Sequence, residues 1–158
     1  MPPKKPRPRT RARRPPPEGP VPRRSDPITR VTESESWQLL HHAQIGRIAS
    51  ARHGDPDIFP VSFVVHDSTV FFRTAADSRL RIEADGKPVA FECAGQSGAD
   101  AWSVVLLGSL RTLDTADDKD LLDQLPILDF APDKPYVWMQ VTPTSVRGRR
   151  FVIAPTGS

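Results

Sequence analysis

One cysteine in 158 residues, Cys93, excludes an internal disulfide and fits a reducing compartment, so a cytoplasmic location is expected. It lies in PVAFECAG, where a small buried residue is the expectation and a nucleophile is not. No run of 18 apolar residues exists, so no membrane-spanning helix is expected. The N-terminus is basic, but no apolar stretch follows it, so it does not read as a secretory signal. Neither GxGxxG nor GxxxxGK[ST] occurs, so neither nucleotide-binding signature is present. HExxH, CxxC and GxSxG are missing too. His41 and His42 are adjacent, and neighbours on a helix point in different directions; no metal site is expected.

What is present is unevenly distributed. Residues 1–24 hold nine Lys and Arg, one Glu and nine of the 18 prolines. Their charge of +8 exceeds the +3 of the whole chain, which leaves −5 for residues 25–158. A stretch with so little apolar surface cannot offset the entropy of ordering, so residues 1–28 read as a disordered Pro/Arg-rich tail and 29–158 as one folded domain. The tail permits weak nonspecific contact with nucleic acid or anionic lipid through residues 1–24. It reads first, however, as a solubilising extension, or as a segment upstream of the natural start. The acidic balance of the remainder gives no nucleic-acid signal.

Along the folded part, TESESWQLLHHAQIG (residues 32–46) predicts a helix capped by Thr32, with Glu35 at capping-box spacing and Gly46 at its end. IGRIAS reads as a strand and ARHGDP (51–56) as a turn. IFPVSFVVHDSTVFFRTA predicts a hairpin around HDST, with Pro60 at an edge or bulge. SRLRIEADG reads as a short helix ended by Gly86, and PVAFECAG as a strand. AWSVVLLGSLRTL is a long strand bent at Gly108; a third helix follows, with Thr115 and Asp118 at capping spacing. YVWMQVTPTSVRGRRFVI gives one strand and a terminal one. Six or seven strands joined mainly by hairpins favour an all-β domain with short flanking helices, a small antiparallel barrel rather than a βαβ sheet.

The stretch FFRTAADSRLR carries the clearest chemistry. Arg73 and Thr74 close a strand; Ser78 and Arg79 open the next helix. Two hydroxyls and a planar guanidinium around one turn can hold a phosphate, whereas solvated arginines would need no ligand. Arg73 and Arg81 are further candidates. Trp102, followed by Ser103, can stack on a planar cofactor or cover an interface; Trp138 and Trp37 read as packing.

The ordered set ESESWQLL, IGRIA, DIFPVSFVV, FFRTAADSRL, PVAFE, AWSVVLLG and GRRF resembles the pyridoxamine 5′-phosphate oxidase-like family of flavin-binding split-barrel proteins, over residues 30–152. The resemblance implies a six-stranded antiparallel split β-barrel that forms a homodimer, with FMN in clefts at the dimer interface. It places Arg73, Thr74, Ser78 and Arg79 at the flavin phosphate. It sets Pro60, Val61, Ser62 and Phe63 along the isoalloxazine ring, and Trp102 and Ser103 on a later strand near the cofactor. Leu80 departs from the pattern, because the oxidase proper has a second basic residue there. Near the C-terminus Arg149 and Arg150 stand without the histidine expected for pyridoxal phosphate.

The resemblance therefore implies a flavin-dependent oxidoreductase acting on an unidentified small molecule, with no side chain assigned as acid or base. An F420-dependent reductase, a flavin-binding module without turnover, and a nucleic-acid-associating protein acting through its basic tail are the alternatives.

Overall fold

The computed structural model describes residues 26–128 and 135–153. The tail read over residues 1–24 lies outside them. The order of elements is β1 (Ile28–Val31), α1 (Glu33–His41), β2 (Ile45–Arg52), β3 (Asp55–His66), β4 (Thr69–Ala75), α2 (Arg79–Ala84), β5 (Pro88–Ser97), β6 (Asp100–Thr112), α3 (Thr115–Leu122) and β7 (Tyr136–Val152).

Tight turns make three of the six connections between strands, and every paired neighbour lies antiparallel. His53 and Gly54 turn β2 into β3, and Asp67 and Ser68 turn β3 into β4; all four residues have positive φ, from 45° to 88°, as two-residue hairpin loops require. The sheet runs β7-β4-β3-β2-β5-β6 and returns to β7, which closes a six-stranded antiparallel ring. β1 pairs with the far part of β7, from Ile28↔Phe151 to Val31↔Gly148.

Alternation along the strands fills the interior. Ile48, Phe63, Val70, Phe72, Phe91, Val104, Leu106, Leu110, Met139 and Val141 are buried together, with Phe63 edge-on to Phe91 at 4.9 Å between ring centroids. α1 adds Trp37 and Leu40 to this core, and α2 adds Leu80 and Ala84. A second, smaller cluster of Phe71, Leu113, Leu122 and Trp138 packs separately. Since Phe71 and Phe72 are consecutive on a strand, they face opposite sides of the sheet; the second cluster lies on its outer face.

Several expectations from sequence need correction. The first helix stops at His41, and Ile45 and Gly46 belong to β2. Phe91 approaches Gly46 so closely that a side chain there would meet its ring. Thr32 does cap α1, accepting from the Glu35 amide at 3.2 Å, but the Glu35 carboxylate accepts instead from Arg150, at 3.1 Å from Nε and 2.8 Å from Nη2. The turn read over 51–56 contracts to His53 and Gly54, because strand pairing continues through Ala51↔Pro56 and Arg52↔Asp55. α3 spans Thr115–Leu122, and Asp114, one residue ahead of it, accepts from the Ala116 amide at 3.0 Å. The two strands expected after Tyr136 are one strand of 17 residues. ITRV was not expected to form a strand; four exposed or half-exposed residues carry no clear alternation. The bend expected at Gly108 is met, as a register shift between Leu107 and Gly108. A Cβ on Gly108 would run into the Thr142 carbonyl on β7.

Three outcomes follow from these details. Ser68 holds a left-handed conformation that costs a residue with a side chain, so Ser68→Gly should raise unfolding free energy by about 0.5–1 kcal/mol in urea titration. Gly108→Ala should lower it by about 1–3 kcal/mol, because backbone rather than a mobile side chain must give way. Burial, more than the neighbouring Glu92 carboxylate, pushes the Cys93 thiol up to about 11 from 9.0. Its Sγ–H donates to the Ile45 carbonyl at 3.3 Å. The unfolded chain therefore releases this proton first as pH rises, and stability declines between those two values. Urea midpoints measured across that window should fall less steeply in Cys93→Ala than in the parent.

Candidate functional site

β3 and β4 pair for only four residues, from His66↔Thr69 to Phe63↔Phe72. Beyond that point the strands part. Residues 59–62 of β3 stay paired to β2, through Phe59↔Ile48 to Ser62↔Ile45. Arg73, Thr74 and Ala75 of β4 pair with Trp138, Val137 and Tyr136 of β7. The wedge between them is a cavity of about 250 Å³, lined by Phe59 to Ser62, by Arg73 to Ala75, by Ser78 to Leu80 and by Leu128, Pro135 and Tyr136. Among the described residues, both strands turn an edge without a neighbouring strand toward it. Pro60 is tolerated at this edge because it has no N–H to offer.

Seven of the ten residues singled out for a flavin line this cavity: Pro60, Val61, Ser62, Arg73, Thr74, Ser78 and Arg79. Ser62 is 5% exposed, and its Oγ has no hydrogen-bond partner. A buried hydroxyl is rarely left so, and a ligand in the cavity would supply a partner. Arg73 is half-buried, with its guanidinium carbon 4.3 Å from the centre of the Tyr136 ring and 5.4 Å from that of Trp138. Ser78 caps α2, accepting from the Arg81 amide at 3.2 Å. Its hydroxyl hydrogen remains available as a donor.

Arg79 is exposed and held by two carboxylates. Its Nη2 lies 2.8 Å from Asp57 Oδ2, and its Nε 3.3 Å from Glu83 Oε1. The bond to Glu83, and then the charges of Glu83 and Asp57, raise the guanidinium pKa further; the same bond to Arg79 holds the Glu83 carboxyl below its usual range. Glu83 also accepts from Arg52 Nη1 at 3.2 Å. Leu80, the departure from the family pattern, is 2% exposed and belongs to the core. A charged side chain there would lose its hydration, so this helix phase gives no second cation. Arg81, the remaining basic candidate, donates from Nη1 to the Ala76 carbonyl at 2.6 Å and thereby braces the turn between β4 and α2.

The other three candidates lie elsewhere in the subunit. Phe63 is a core residue against Phe91. Trp102 packs over Gly95 on the neighbouring strand, where a Cβ would meet its indole at 2.6 Å. Ser103 lines a separate recess with Val105, Arg147 and Arg149. Arg150 is committed to Glu35. Asp57, Glu83, Arg52 and Tyr136 were not singled out from sequence. Glu83 stands four residues after Arg79 on one helix face, a spacing that was available to find it. Asp57, Arg52 and Tyr136 arrive through strand pairing, which no local pattern reports. Among the described residues, no group of three His, Cys, Asp or Glu is placed to hold a metal ion, and no helix is long and apolar enough to cross a membrane.

Comparison with known proteins supports the same assignment. A search of curated proteins finds no match. Among solved structures, the FAD binding protein from Mycobacterium smegmatis is 32% identical with a TM-score of 0.73, covering 80% of this chain and 100% of that one. A conserved protein of unknown function from Corynebacterium diphtheriae is also 32% identical, with a TM-score of 0.70 and the same coverage. A provisionally named pyridoxamine 5′-phosphate oxidase from Corynebacterium glutamicum is 26% identical with a TM-score of 0.73, covering 84% and 99%. The family pattern described as pyridoxamine 5′-phosphate oxidase matches residues 32–150. With most of the folded chain inside that match and the ring of strands in place, the protein belongs to the pyridoxamine 5′-phosphate oxidase family.

Proposed function

We propose that this chain binds a phosphorylated flavin, FMN or the deazaflavin F420, in the wedge between β3 and β4 and acts as an oxidoreductase on a small molecule. The observation that carries the reading is convergence: seven residues chosen from two separate sequence stretches line one cavity. The orphaned Ser62 hydroxyl in the wall, and the 32% identical Mycobacterium smegmatis relative named as an FAD binding protein, support it. The free edges of β3 and β4 suit the polar rim of a planar ring, while Val61, Phe59 and Leu80 suit its faces.

A bound flavin supplies the hydride or electron transfer. The chain's own residues bind and orient. Arg79, Thr74 and Ser78 would receive the phosphate, and Ser62 would hold a polar atom of the ring. Phe59, Val61 and Leu80 would exclude water from one side. The cavity of about 250 Å³ is smaller than the roughly 300–1,000 Å³ usual for small-molecule sites. A homodimer with the flavin at its interface would complete it. The apolar groove of about 470 Å³ along Ala49, Ala51, Pro56, Pro88, Ala90 and Leu107 is a surface a second copy can cover. Ser103, remote from the cavity within one subunit, would reach a flavin only from that second copy. A binding module without turnover is the second reading. It is favoured by the cavity wall, where, among the described residues, Arg73 and Arg79 are the ionisable side chains apart from the Tyr136 phenol and neither is suited to proton transfer near neutrality.

Visible absorbance of the purified protein and titration with FMN, F420 and riboflavin test the reading. Binding at micromolar levels is expected. Arg79→Ala should weaken phosphorylated flavins about ten- to a hundredfold and leave riboflavin unchanged. Arg81→Ala should instead lower thermal stability through the lost brace at Ala76. If no phosphorylated flavin binds, FAD included, the assignment fails.

A further inference from the structure

Arg79 reaches the cavity already carrying two negative partners. Asp57 takes one Nη2 hydrogen at 2.8 Å, Glu83 takes the Nε hydrogen at 3.3 Å, and the same Glu83 oxygen holds Arg52 at 3.2 Å. Two guanidinium and two carboxylate groups balance, so this end of the site has no excess positive charge. Asp57 is fixed in this role, because its other carboxylate oxygen accepts from the Ile58 amide at 2.8 Å. The position where a second cation would follow Arg79 holds buried Leu80. Arg73 in the same cavity is stacked on Tyr136 and Trp138.

A phosphomonoester carries about −1.5 to −2 at neutral pH. A phosphodiester carries a single charge, and its second ester bond continues the molecule. An arginine flanked by two carboxylates still has its second Nη2 hydrogen and both Nη1 hydrogens to donate, enough for one phosphate oxygen pair. What it lacks is net charge to offset a dianion placed beside Asp57. The surface beyond Arg79 also has somewhere for a longer ligand to go. A second cavity of about 310 Å³ shares Arg79 with the first and is walled by Arg52, His53, Asp55 and Pro56 as well as the two carboxylates.

We propose that the anion end of this site is built for a singly charged phosphodiester rather than a dianionic phosphomonoester, so that the ligand is a flavin whose phosphate continues into a further group. The proposal rests on the flavin reading above and sharpens it. Asp57 is the residue that sets the preference, by placing a fixed negative charge beside the phosphate. F420 carries such a diester; in FAD the flavin-side phosphate likewise holds a single charge but continues through an anhydride to a second charged phosphate, and the measurement separates the two.

The test compares dissociation constants of riboflavin, FMN, the phosphomethyl ester of FMN, FAD and F420 for the full chain and for Asp57→Asn. The methyl ester differs from FMN by one charge and one methyl group, so it isolates charge from the extension. It should bind the parent about fourfold tighter than FMN or better, the factor for one charge roughly 5 Å from a carboxylate in water. FAD or F420 should do at least as well, and whichever does identifies the extension. Asp57→Asn keeps the acceptor for the Ile58 amide, and it should close the gap by tightening FMN about fourfold more than it tightens the ester. FMN binding as tightly as its ester, or an unchanged ratio in Asp57→Asn, overturns the proposal while leaving the flavin reading intact. Failure of every probe, riboflavin included, removes both. If Asp57→Asn does not fold, the ratio in the parent protein decides.

Discussion

Everything about the site depends on how β7 divides its hydrogen bonds. One edge of this 17-residue strand runs along β6 from Asp100 to Thr112. The other is shared between β4 at its start and β1 at its end. Six residues of β4 are claimed by β7, whereas β3 claims four. A strand cannot follow two diverging partners, so β4 leaves β3 after Phe72. The wedge is the geometric remainder of closing the ring, and α2 starts inside it. Fold and pocket are therefore one constraint: whatever shortened the β4–β7 ladder would let β3 and β4 zip together and close the site.

The parts of the fold legible in the sequence were those set by local patterns. The hairpin at Asp67 and Ser68 was readable because Val61, Phe63, Val65, Val70 and Phe72 alternate around a polar pair. The cap at Thr32 and the bend at Gly108 were readable for similar reasons. β1 was not, since Ile28 to Val31 lie on the outside of β7 and bury little. The continuity of β7 was hidden by Pro143 and Gly148, which look like punctuation. Here Pro143 sits at the register shift opposite Gly108, and Gly148 lies where Val31 and Ser36 pack closely on the strand. The close approach of other elements, rather than a chain turn, accounts for that glycine.

The site was legible as a list and not as an arrangement. Thr74, Ser78 and Arg79 cluster in sequence, and Pro60 to Ser62 form a second group; strand pairing alone shows that they enclose one space. The carboxylates that govern Arg79 were harder to see. Asp57 lies 22 positions away and reaches Arg79 only because β3 runs past the start of α2. Leu80 looked like a missing ligand, while in the fold it is a core residue whose side chain points away from water. Trp102 was conspicuous by itself, and within one subunit its indole covers a glycine on the neighbouring strand.

The stack of Arg73 on Tyr136 gives the chain a built-in reporter. Tyr136 is the sole tyrosine of the sequence, and it sits in the cavity wall with a cation held against its ring. Anything that enters and moves that guanidinium alters the field at one phenol and at no other. A fluorinated tyrosine incorporated throughout the protein would therefore yield a single resonance, assigned without mutagenesis, from the wall of the site. Occupancy could then be followed even for ligands that have no colour of their own.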